Sequence, residues 1–432
     1  MNKSKLWAGT LTSCLLTTAL TSGLFFMNKL SGTPFVPFAF FDWITRTLPG
    51  DIVTFGIDLM IDTLRLLGLS VADTAKTAEQ IIALLEFIGV GVLTGLLFFW
   101  LVATGSVTPR ARIGLVIGTL FGLPMVGGSI AIDGFPGPFT LVWLASSFLL
   151  WGLMLSLASR HLSLNRVSAK RSKPTSNIAD VSKRQFLINL GTATAAITFL
   201  GTGIGTVIDT TKRRQIEKEM AALMMHEPER DPKPPSPISN NPFTPAPGTR
   251  PDYTPLKDHY KVSIRIEPTE IDGDTWTLPI TGDVDNPLML TLDDIRSNYK
   301  SLDQYVTLSC ISGRLGTDLI STTLWTGVSL QDILANAKVR DSAKSLFIES
   351  GDGFYESVDL ELIASDRRIM LVYAWDGNPI GIPHGFPLRI WIPDKYGMKQ
   401  PKWITNIEVL DEIRLGYWVE RGWDPVAQVN TV

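Results

Sequence analysis

The sequence predicts two dissimilar parts, an all-α, multi-span membrane bundle followed by a β-rich α+β domain. Three observations lead to this fold class. Long apolar windows crowd into the first half of the chain, a proline-rich stretch divides the halves, and short strand patterns separated by turns fill the second half. At 432 residues the chain has room for two or three domains. We place their limits at 1–210, 211–256 and 257–432.

Five apolar windows reach or approach the roughly 20 residues that a helix needs to cross a bilayer. They are Leu6–Phe26, Ile81–Ala103, Ile113–Ile132, Phe139–Ala158 and Phe186–Ile208. A cleaved signal peptide is the alternative for the first window, which follows the basic start MNKSK. Because further windows follow and no clear small-residue cleavage site precedes them, we predict five transmembrane helices.

Basic residues flank these windows in a pattern that predicts their orientation. Lys3 and Lys5 precede the first window, Arg110 and Arg112 separate the second from the third, and the run SRHLSLNRVSAKRSKP follows the fourth. If all three flanks are cytoplasmic, the chain crosses the cell membrane five times and the second half is extracytoplasmic. The net charge of −3 and the lack of a basic stripe argue against a nucleic-acid partner.

Glycines within the windows are typical of closely packed membrane helices. Gly114, Gly118 and Gly122 recur every fourth residue in the third window, as do Gly91 and Gly95 in the second. No predicted window contains a histidine, so the sequence excludes a haem held by two histidines inside the bundle. The bundle is predicted to be an anchor or a platform for a partner.

The stretch DWITRTLPGDIVTFGIDLMIDTLRLLG, between the first two windows, is amphipathic. Asp58, Asp62 and Arg65 share one face of the predicted helix. Such a helix can lie in the membrane interface. Its carboxylates can also line a pathway within the bundle. Both interpretations stay open from sequence alone.

After ten prolines between Glu227 and Pro255, which are typical of an extended tether, strand patterns recur. Examples are YKVSIRI, TWTLPITGDV, QYVTLSC, KSLFIES, IMLVYAW and LRIWIP. Two short helices are predicted over TLDDIRSNY and SLQDILANA, beginning with Thr and Ser as N-caps. This pattern indicates the β-rich domain.

Cys310 ends one of these strands and enters a loop with Gly313 and Gly316. A thiolate here can bind a soft metal, although a lone cysteine is more often an inert buried side chain. The other cysteine, Cys14, lies in an apolar window, so a disulfide is not expected. No second Cys or nearby His gives a zinc spacing, and no orienting partner beside His384 favours a cysteine-protease pair.

Basic and apolar residues alternate in HGFPLRIWIPDKYGMKQPKWITNIEV, residues 384–409. His384, Arg389 and Lys402, with Lys395 and Lys399, suit a phosphate or pyrophosphate, because Arg binds such a group as a fork and Lys as a point charge. A solvated basic face is the alternative. The interleaved aromatic and aliphatic residues argue against it.

This segment resembles the molybdopterin-binding domain of the sulfite oxidase family, which shows an H-G-F-P-x-R element followed by Y-G and K-W. The Cys310 segment is similar to the family's molybdenum-ligand loop. DGDTWTLPITGDVDNPLMLTLDDI resembles its opening strands, and LGYWVERGW resembles the tail of its exported bacterial branch. The likeness covers about residues 257–430. It implies a sulfite-oxidase-type fold and a molybdenum–molybdopterin cofactor.

The resemblance assigns roles residue by residue. Cys310 is the implied thiolate ligand of molybdenum, and Arg314, four residues later, is an implied anion-binding group, with a surface ion pair as its alternative. The implied cofactor-binding residues are Tyr260, Lys261, Asp352, His384, Arg389, Gln400, Pro401 and Lys402, with Gln400 and Pro401 acting through their backbone.

The resemblance implies a molybdenum-dependent oxidoreductase that moves an oxygen atom in a two-electron reaction. Its substrate is a sulfite-like anion or, in the reductive direction, an S- or N-oxide. With two cysteines and four histidines, the chain also needs a separate electron-transfer protein, cytochrome or quinone-linked. A membrane-anchored binding or sensory module that kept the fold without catalysis is the alternative from another class.

The segment VSKRQFLINLGTATAAITFLG resembles the twin-arginine export pattern. Lys183 replaces the first arginine, Arg184 is the second, and the pattern is internal rather than N-terminal. It implies a domain that acquires its cofactor before export. A simple positive-inside flank explains the same residues.

Overall fold

The computed structural model describes residues 3–171, 176–224, 253–313 and 318–429. Contacts divide the chain into an N-terminal unit, 1–47 with 80–216, and a C-terminal unit, 48–79 with 217–432. The predicted domain limits stay predictions. The segment 48–79, which the prediction assigns to the membrane domain, makes its contacts within the C-terminal unit. Residues 225–252, which hold most of the predicted tether, and Arg314 lie outside the described residues.

Seven helices form the first part of the described chain. They are α1 (Lys3–Ser31), α2 (Val36–Thr47), α3 (Gly50–Leu66), α4 (Val71–Thr104), α5 (Ala111–Asp133), α6 (Pro138–Arg171) and α7 (Ser176–Met224). Within the described residues, five helical stretches are long and apolar enough to cross a membrane: Trp7–Ser31, Val71–Thr104, Ala111–Asp133, Pro138–Leu162 and Arg184–Lys212. The predicted helical fold class is confirmed. The fourth stretch runs further than predicted and includes His161.

The glycine spacing of the third window serves the contact between α5 and α6, as the sequence predicts. A Cβ on Gly114 would lie 2.5 Å from the backbone oxygen of Gly152, so the two helices touch through their backbones. Beside this contact, the rings of Phe121 and Phe148 lie 5.3 Å apart in an edge-on arrangement. Small residues thus allow the close approach, and aromatic rings fill the space around it.

The C-terminal unit contains two five-stranded sheets. Its strands are β1 (Thr277–Gly282), β2 (Leu288–Thr291), β3 (Ser301–Ser309), β4 (Ile320–Ser329), β5 (Ser345–Ser350), β6 (Tyr355–Asp359), β7 (Met370–Trp375), β8 (Asn378–Pro379), β9 (Arg389–Trp391) and β10 (Ile404–Leu410). One sheet has the order β2-β1-β10-β5-β6, and the other has the order β3-β4-β7-β8 with β9 also on β7. The β-rich α+β prediction is confirmed.

Three short helices, α8 (Leu292–Asn298), α9 (Leu330–Ala337) and α10 (Leu360–Ser365), cover the sheets. Thr291 caps α8 in a reciprocal capping box with Asp294, as predicted. For α9 the predicted N-cap position is correct, but the predicted capping hydrogen bond is wrong. Ser329 stands at the N-cap position, but its hydroxyl donates to the carbonyl of Arg367 instead of capping the helix.

The amphipathic stretch forms α3, and its apolar inner face packs within the C-terminal unit. Ile61 and Leu64 are buried in a cluster that also contains Tyr260, Cys310 and Trp325. Asp58 and Asp62 lie on the exposed side of the helix. This inner face therefore covers the part of the domain that carries Cys310.

Candidate active site

Cys310 stands where β3 ends and a loop begins. β3 and β4 pair in antiparallel register up to Ser309 and Ile320. The Cys310 N–H then donates to the Leu319 carbonyl at 3.0 Å, and the Gly313 N–H donates to the Cys310 carbonyl at 2.9 Å. The loop therefore leaves and re-enters the sheet at one point, which fixes the backbone of Cys310 while its side chain stays buried.

The thiol lies among opposing electrostatic influences. Burial raises the pKa of Cys310, while backbone N–H groups of Ser312, Gly313 and Ile311 and the Ser312 hydroxyl stabilise the thiolate and lower it. A coordinated metal would hold the sulfur as a thiolate outright. Among the described residues, no group of three or more His, Cys, Asp or Glu side chains could hold a metal.

Arg389 is a buried cation with an unused donor. Its side chain is 3% exposed, and one terminal nitrogen donates to the His384 carbonyl at 3.0 Å. The guanidinium lies 4.4 Å from the ring centre of Trp325. Its Nε has no hydrogen-bond partner among the described residues, and burial lowers the pKa of Arg389 to about 10. A buried guanidinium with an orphaned N–H fits an anionic ligand such as a phosphate.

The turn after His384 brings two of the cations together. Gly385 has a φ of +116°, and a Cβ there would lie 3.0 Å from Cβ of Lys402 and 3.1 Å from Cβ of Arg389. Only glycine accepts both the backbone conformation and this approach without strain. The glycine of the H-G-F-P element therefore lets Arg389 and Lys402 line one wall.

Lys402 extends along this wall. Its Nζ donates to the Val262 carbonyl at 2.8 Å and to the Pro383 carbonyl at 3.2 Å. Burial lowers the pKa of Lys402, the charge of Arg389 lowers it further, and the buried carboxylate of Asp352 opposes both. Lys402, Arg389 and Asp352 thus act on one another at one site.

Gln400 and Pro401 fix the chain just before Lys402 through their own hydrogen bonds. The Gln400 side chain accepts from the Ile392 N–H at 2.7 Å and donates to the Ile392 carbonyl at 2.7 Å. The Pro401 carbonyl accepts from the Ile390 N–H at 3.1 Å. These bonds hold the segment before Lys402 against β9.

His384 and Tyr260 complete the buried part of the site. Burial lowers the pKa of His384 well below its ordinary value, and the neighbouring His259 lowers it further. Burial raises the pKa of Tyr260, as does the charge of Cys310, while Arg389 lowers it. Tyr260 is therefore near enough to the thiol and to the guanidinium for both charges to act on it.

His259 is a site residue that the sequence analysis missed. Its ring lies 5.1 Å from that of His384 and 5.1 Å from that of Trp375, and its Nδ1 is 3.2 Å from the Tyr260 carbonyl. Its position next to Tyr260 was the only signal in the sequence. Lys261, by contrast, is exposed at the edge of this cluster.

The structure therefore brings together the predicted Cys310, Tyr260, Asp352, His384, Arg389 and Lys402. These groups offer one soft thiol beside three basic side chains in a largely buried setting. That donor set suits a cofactor with a soft metal at one end and an anionic phosphate at the other.

Comparison with known proteins agrees with this geometry. Residues 265–418 match the family model of the oxidoreductase molybdopterin binding domain. An uncharacterised oxidoreductase of Bacillus subtilis, YuiH, is 29% identical over 154 residues, which cover 35% of this chain and 74% of that protein. The NADPH nitrate reductase of Fusarium oxysporum is 31% identical over 157 residues, or 32% of this chain and 17% of that enzyme.

The matched segment thus spans less than a fifth of the Fusarium enzyme and a fifth of a barley nitrate reductase. Among solved structures, the sulfane dehydrogenase SoxCD of Paracoccus pantotrophus aligns with a TM-score of 0.36 at 21% identity, covering 41% of this chain and 50% of that one. That likeness is too slight to bear on function. The family match and the sequence relatives show that the C-terminal domain of this chain is a molybdopterin-binding oxidoreductase domain of the sulfite oxidase family, whose cofactor is molybdenum carried by molybdopterin.

Proposed function

We propose that this protein is a membrane-anchored molybdenum oxidoreductase that transfers an oxygen atom between its cofactor and a small substrate. The observation that carries the proposal is a buried thiol, Cys310, and a buried guanidinium, Arg389, whose charges both act on Tyr260. Nε of Arg389 has no hydrogen-bond partner among the described residues. An inert structural cysteine would not require buried positive charge at such a cost in desolvation.

The bound cofactor supplies the two-electron oxygen-atom transfer. The chain's residues hold and orient it. Cys310 is the proposed thiolate ligand, and Arg389, His384 and Lys402 are the proposed contacts of the pterin and its phosphate. Tyr260, which shares a buried cluster with Cys310, restricts the space around the proposed metal ligand.

For the substrate, we propose a small oxyanion, with oxidation of a sulfite-like anion as the first candidate. The proposal rests on Arg314, a cation four residues after Cys310. Reduction of an S- or N-oxide is the competing direction, and several relatives are named nitrate reductases. Turnover of Arg314→Ala with sulfite, nitrate and a neutral sulfoxide separates these candidates. A loss of turnover confined to sulfite and nitrate supports Arg314 as an anion-binding residue. An equal loss of turnover on all three substrates contradicts that role.

Electrons have to leave or reach the cofactor through another protein. With two cysteines and four histidines, this chain lacks the ligands of an iron–sulfur cluster or of several haems. We therefore propose a cytochrome or a quinone-linked protein as the redox partner.

We further propose that the catalytic domain is extracytoplasmic. The support is the distribution of basic residues around the apolar helices, above all Arg110, between α4 and α5, and Arg112, in the first turn of α5. The pattern around Lys183 and Arg184 supports export after cofactor loading.

Metal and pterin analysis of the protein purified from its native membrane tests the proposal. We expect close to one molybdenum and one pterin per chain, and loss of the sulfur–metal bond in Cys310→Ser. Folded wild-type protein without molybdenum would contradict the enzyme proposal and favour a non-catalytic binding or sensory module.

A further inference from the structure

The segment 48–79 is packed into the C-terminal unit along its whole length, although it precedes the family match by almost two hundred residues. At its start, the backbone of Gly50 lies so close to Arg421 that any side chain at Gly50 would collide with it. The indole Nε1 of Trp423 donates to the Thr54 hydroxyl at 3.0 Å. This end of α3 is therefore fixed to the C-terminal tail.

In its middle, the segment covers the wall behind the thiol. Ile61, Leu64 and Val71 are 3%, 7% and 3% exposed, and they share one apolar cluster with Cys310 and Tyr260. Side chains from α3 and from the start of α4 thus contribute to the apolar, water-excluding surroundings of the thiol.

At the beginning of α4, the segment holds the loop that contains the metal ligand. The backbone N–H of Ala72 donates to Oδ1 of Asp318 at 3.1 Å, and the Ser70 hydroxyl donates to the same carboxylate. A carboxylate at a helix N-terminus is stabilised by the free N–H groups and the helix dipole. Asp318 directly precedes Leu319, whose carbonyl accepts from Cys310. The first turn of α4 thereby fixes the returning end of the Cys310 loop.

Two turns later, Lys76 holds a second part of the site. Its Nζ donates to the carbonyls of Ser263 at 2.7 Å and Arg265 at 3.1 Å, and it pairs with Glu79 at 2.6 Å. Residues 260–266, which the sequence predicts as the strand YKVSIRI, form an irregular segment instead, because these carbonyls bond to the Lys76 side chain and not to a neighbouring strand. The same segment includes Val262, whose carbonyl accepts from Lys402. Lys76 therefore fastens the backbone on which two cofactor-site residues depend.

We propose that the segment 48–79 is a positioning element of the molybdenum site, with Ser70 and Lys76 as its positioning residues. Ser70 acts through Asp318 on the Cys310 loop, and Lys76 acts through Ser263 and Arg265 on the Tyr260–Val262 backbone. The inference rests on the proposed function, and it adds that the site is completed by chain that the family match does not include. Because α4 continues from this point as one helix to Thr104, the metal-ligand loop is attached to the first turn of a candidate membrane span.

Hydrogen–deuterium exchange on the full chain in detergent tests the proposal without requiring the metal. Lys76→Met is expected to raise exchange about tenfold in residues 258–266, and Ser70→Ala to raise it in residues 305–313, because each loses hydrogen bonds that close those segments. The hairpin of β5 and β6, to which neither Ser70 nor Lys76 is hydrogen-bonded, should not change.

Two control variants separate positioning from general stability. Glu79→Gln removes the ion pair of Lys76 but leaves its two carbonyl contacts, so residues 258–266 should exchange as in the wild type. Thr291→Ala removes the cap of α8, which is unconnected with the site, and should lower the melting temperature while leaving both site segments unchanged.

The electron paramagnetic resonance signal of the one-electron-reduced molybdenum supplies the second readout. We expect Ser70→Ala to shift the signal, since the sulfur ligand turns with its loop, and Thr291→Ala to leave it as in the wild type. The positioning role is overturned if exchange in the two site segments is unchanged, or if it rises equally in residues 345–359. It is also overturned if the resonance signal stays unshifted although the Cys310 segment exchanges faster. Wild-type protein without molybdenum would overturn the proposed function itself, and the two failures are therefore distinguishable.

Discussion

At the scale of single residues, the site combines groups that are costly to bury unless a ligand compensates them. Arg389 has one hydrogen bond to the His384 carbonyl and an aromatic face beneath it, yet its Nε is unsatisfied among the described residues. Lys402 is half-buried beside it, and its pKa is lowered by loss of solvent and by the charge of Arg389. The positive charge of this pair is thus retained for an anionic partner.

Replacing Arg389 should therefore reduce cofactor retention more than stability. We expect Arg389→Met to lower the molybdenum content per chain about tenfold, since a charge-assisted hydrogen bond contributes roughly 1.5–3 kcal/mol. The molybdenum content of Arg389→Lys should lie between those of the wild type and of Arg389→Met, because lysine keeps the charge but lacks the forked donors of the guanidinium. Arg367→Met is the matched control: Arg367 is 58% exposed and paired with Asp332 on the surface. Equal molybdenum contents in the Arg389 and Arg367 variants would contradict the assignment.

A second residue-scale prediction concerns the buried pair of Glu356 and Lys399, whose side chains are 0% and 12% exposed and 2.7 Å apart. Burial raises the pKa of Glu356, and the charge and hydrogen bond of Lys399 lower it. An acid whose pKa is raised in the folded state stabilises the fold at low pH and loses that contribution as the pH rises through its folded pKa. Lys399→Met raises the pKa of Glu356 further, so the pH range over which the fold loses stability should extend to higher pH.

We expect Lys399→Met to destabilise the domain by about 3 kcal/mol at neutral pH, because it removes one partner of a buried ion pair and leaves the other uncompensated. Below about pH 4.5 the deficit should shrink to a packing effect, because Glu356 is protonated in both folded forms. Denaturant titrations between pH 4 and 8 measure this. The stability of the double variant Glu356→Gln/Lys399→Met should depend little on pH in this range. If the destabilisation by Lys399→Met were independent of pH, the proposed role of the Glu356 charge would be wrong.

At the scale of elements, the sequence was informative where a local pattern carries the information. The strand before Cys310, the glycine of the H-G-F-P turn and the capping box at Thr291 are all readable from neighbouring residues. The cap at Ser329 was not, because its hydroxyl is captured by the distant carbonyl of Arg367. Similarly, α3 has the amphipathic pattern of an interfacial helix, and only its tertiary partners reveal that the inner face packs near Cys310.

The contact between α5 and α6 gives an element-scale prediction. A Cβ on Gly118 would lie 3.1 Å from the carbonyl carbon of Phe148 and 3.2 Å from Cα of Leu149, so Gly118→Ala has to push the helices apart. We expect it to destabilise the bundle by about 1–3 kcal/mol, the usual cost of overpacking. Gly127 faces open space, and Gly127→Ala should be neutral or slightly stabilising because alanine favours helix. Thermal unfolding in detergent compares the two, and equal effects would argue against backbone contact.

At the scale of the whole molecule, composition predicted the two-part architecture because bilayer-spanning helices and alternating strands have distinct periodicities. It could not predict that the stretch 48–79 contributes to the other unit. Ser70 and Lys76 carry no local signature of their role, since the groups they bind, Asp318 and the carbonyls of Ser263 and Arg265, are almost two hundred or more residues away. Long-range contacts of this kind lie beyond pattern analysis of one sequence.

The orientation of the chain in the membrane gives the last prediction, which follows from its basic flanks. In a background with Cys14→Ser that keeps the buried Cys310, Ser106→Cys places a thiol between α4 and α5, and Asp341→Cys places one on the exposed surface of the catalytic domain. A membrane-impermeant maleimide added to intact cells should label Cys at 341 and leave Cys at 106 unlabelled until the membrane is permeabilised. The reverse pattern would place the catalytic domain in the cytoplasm. Labelling of both in sealed cells would require an even number of crossings between these positions, against the three that the apolar helices α5, α6 and α7 predict.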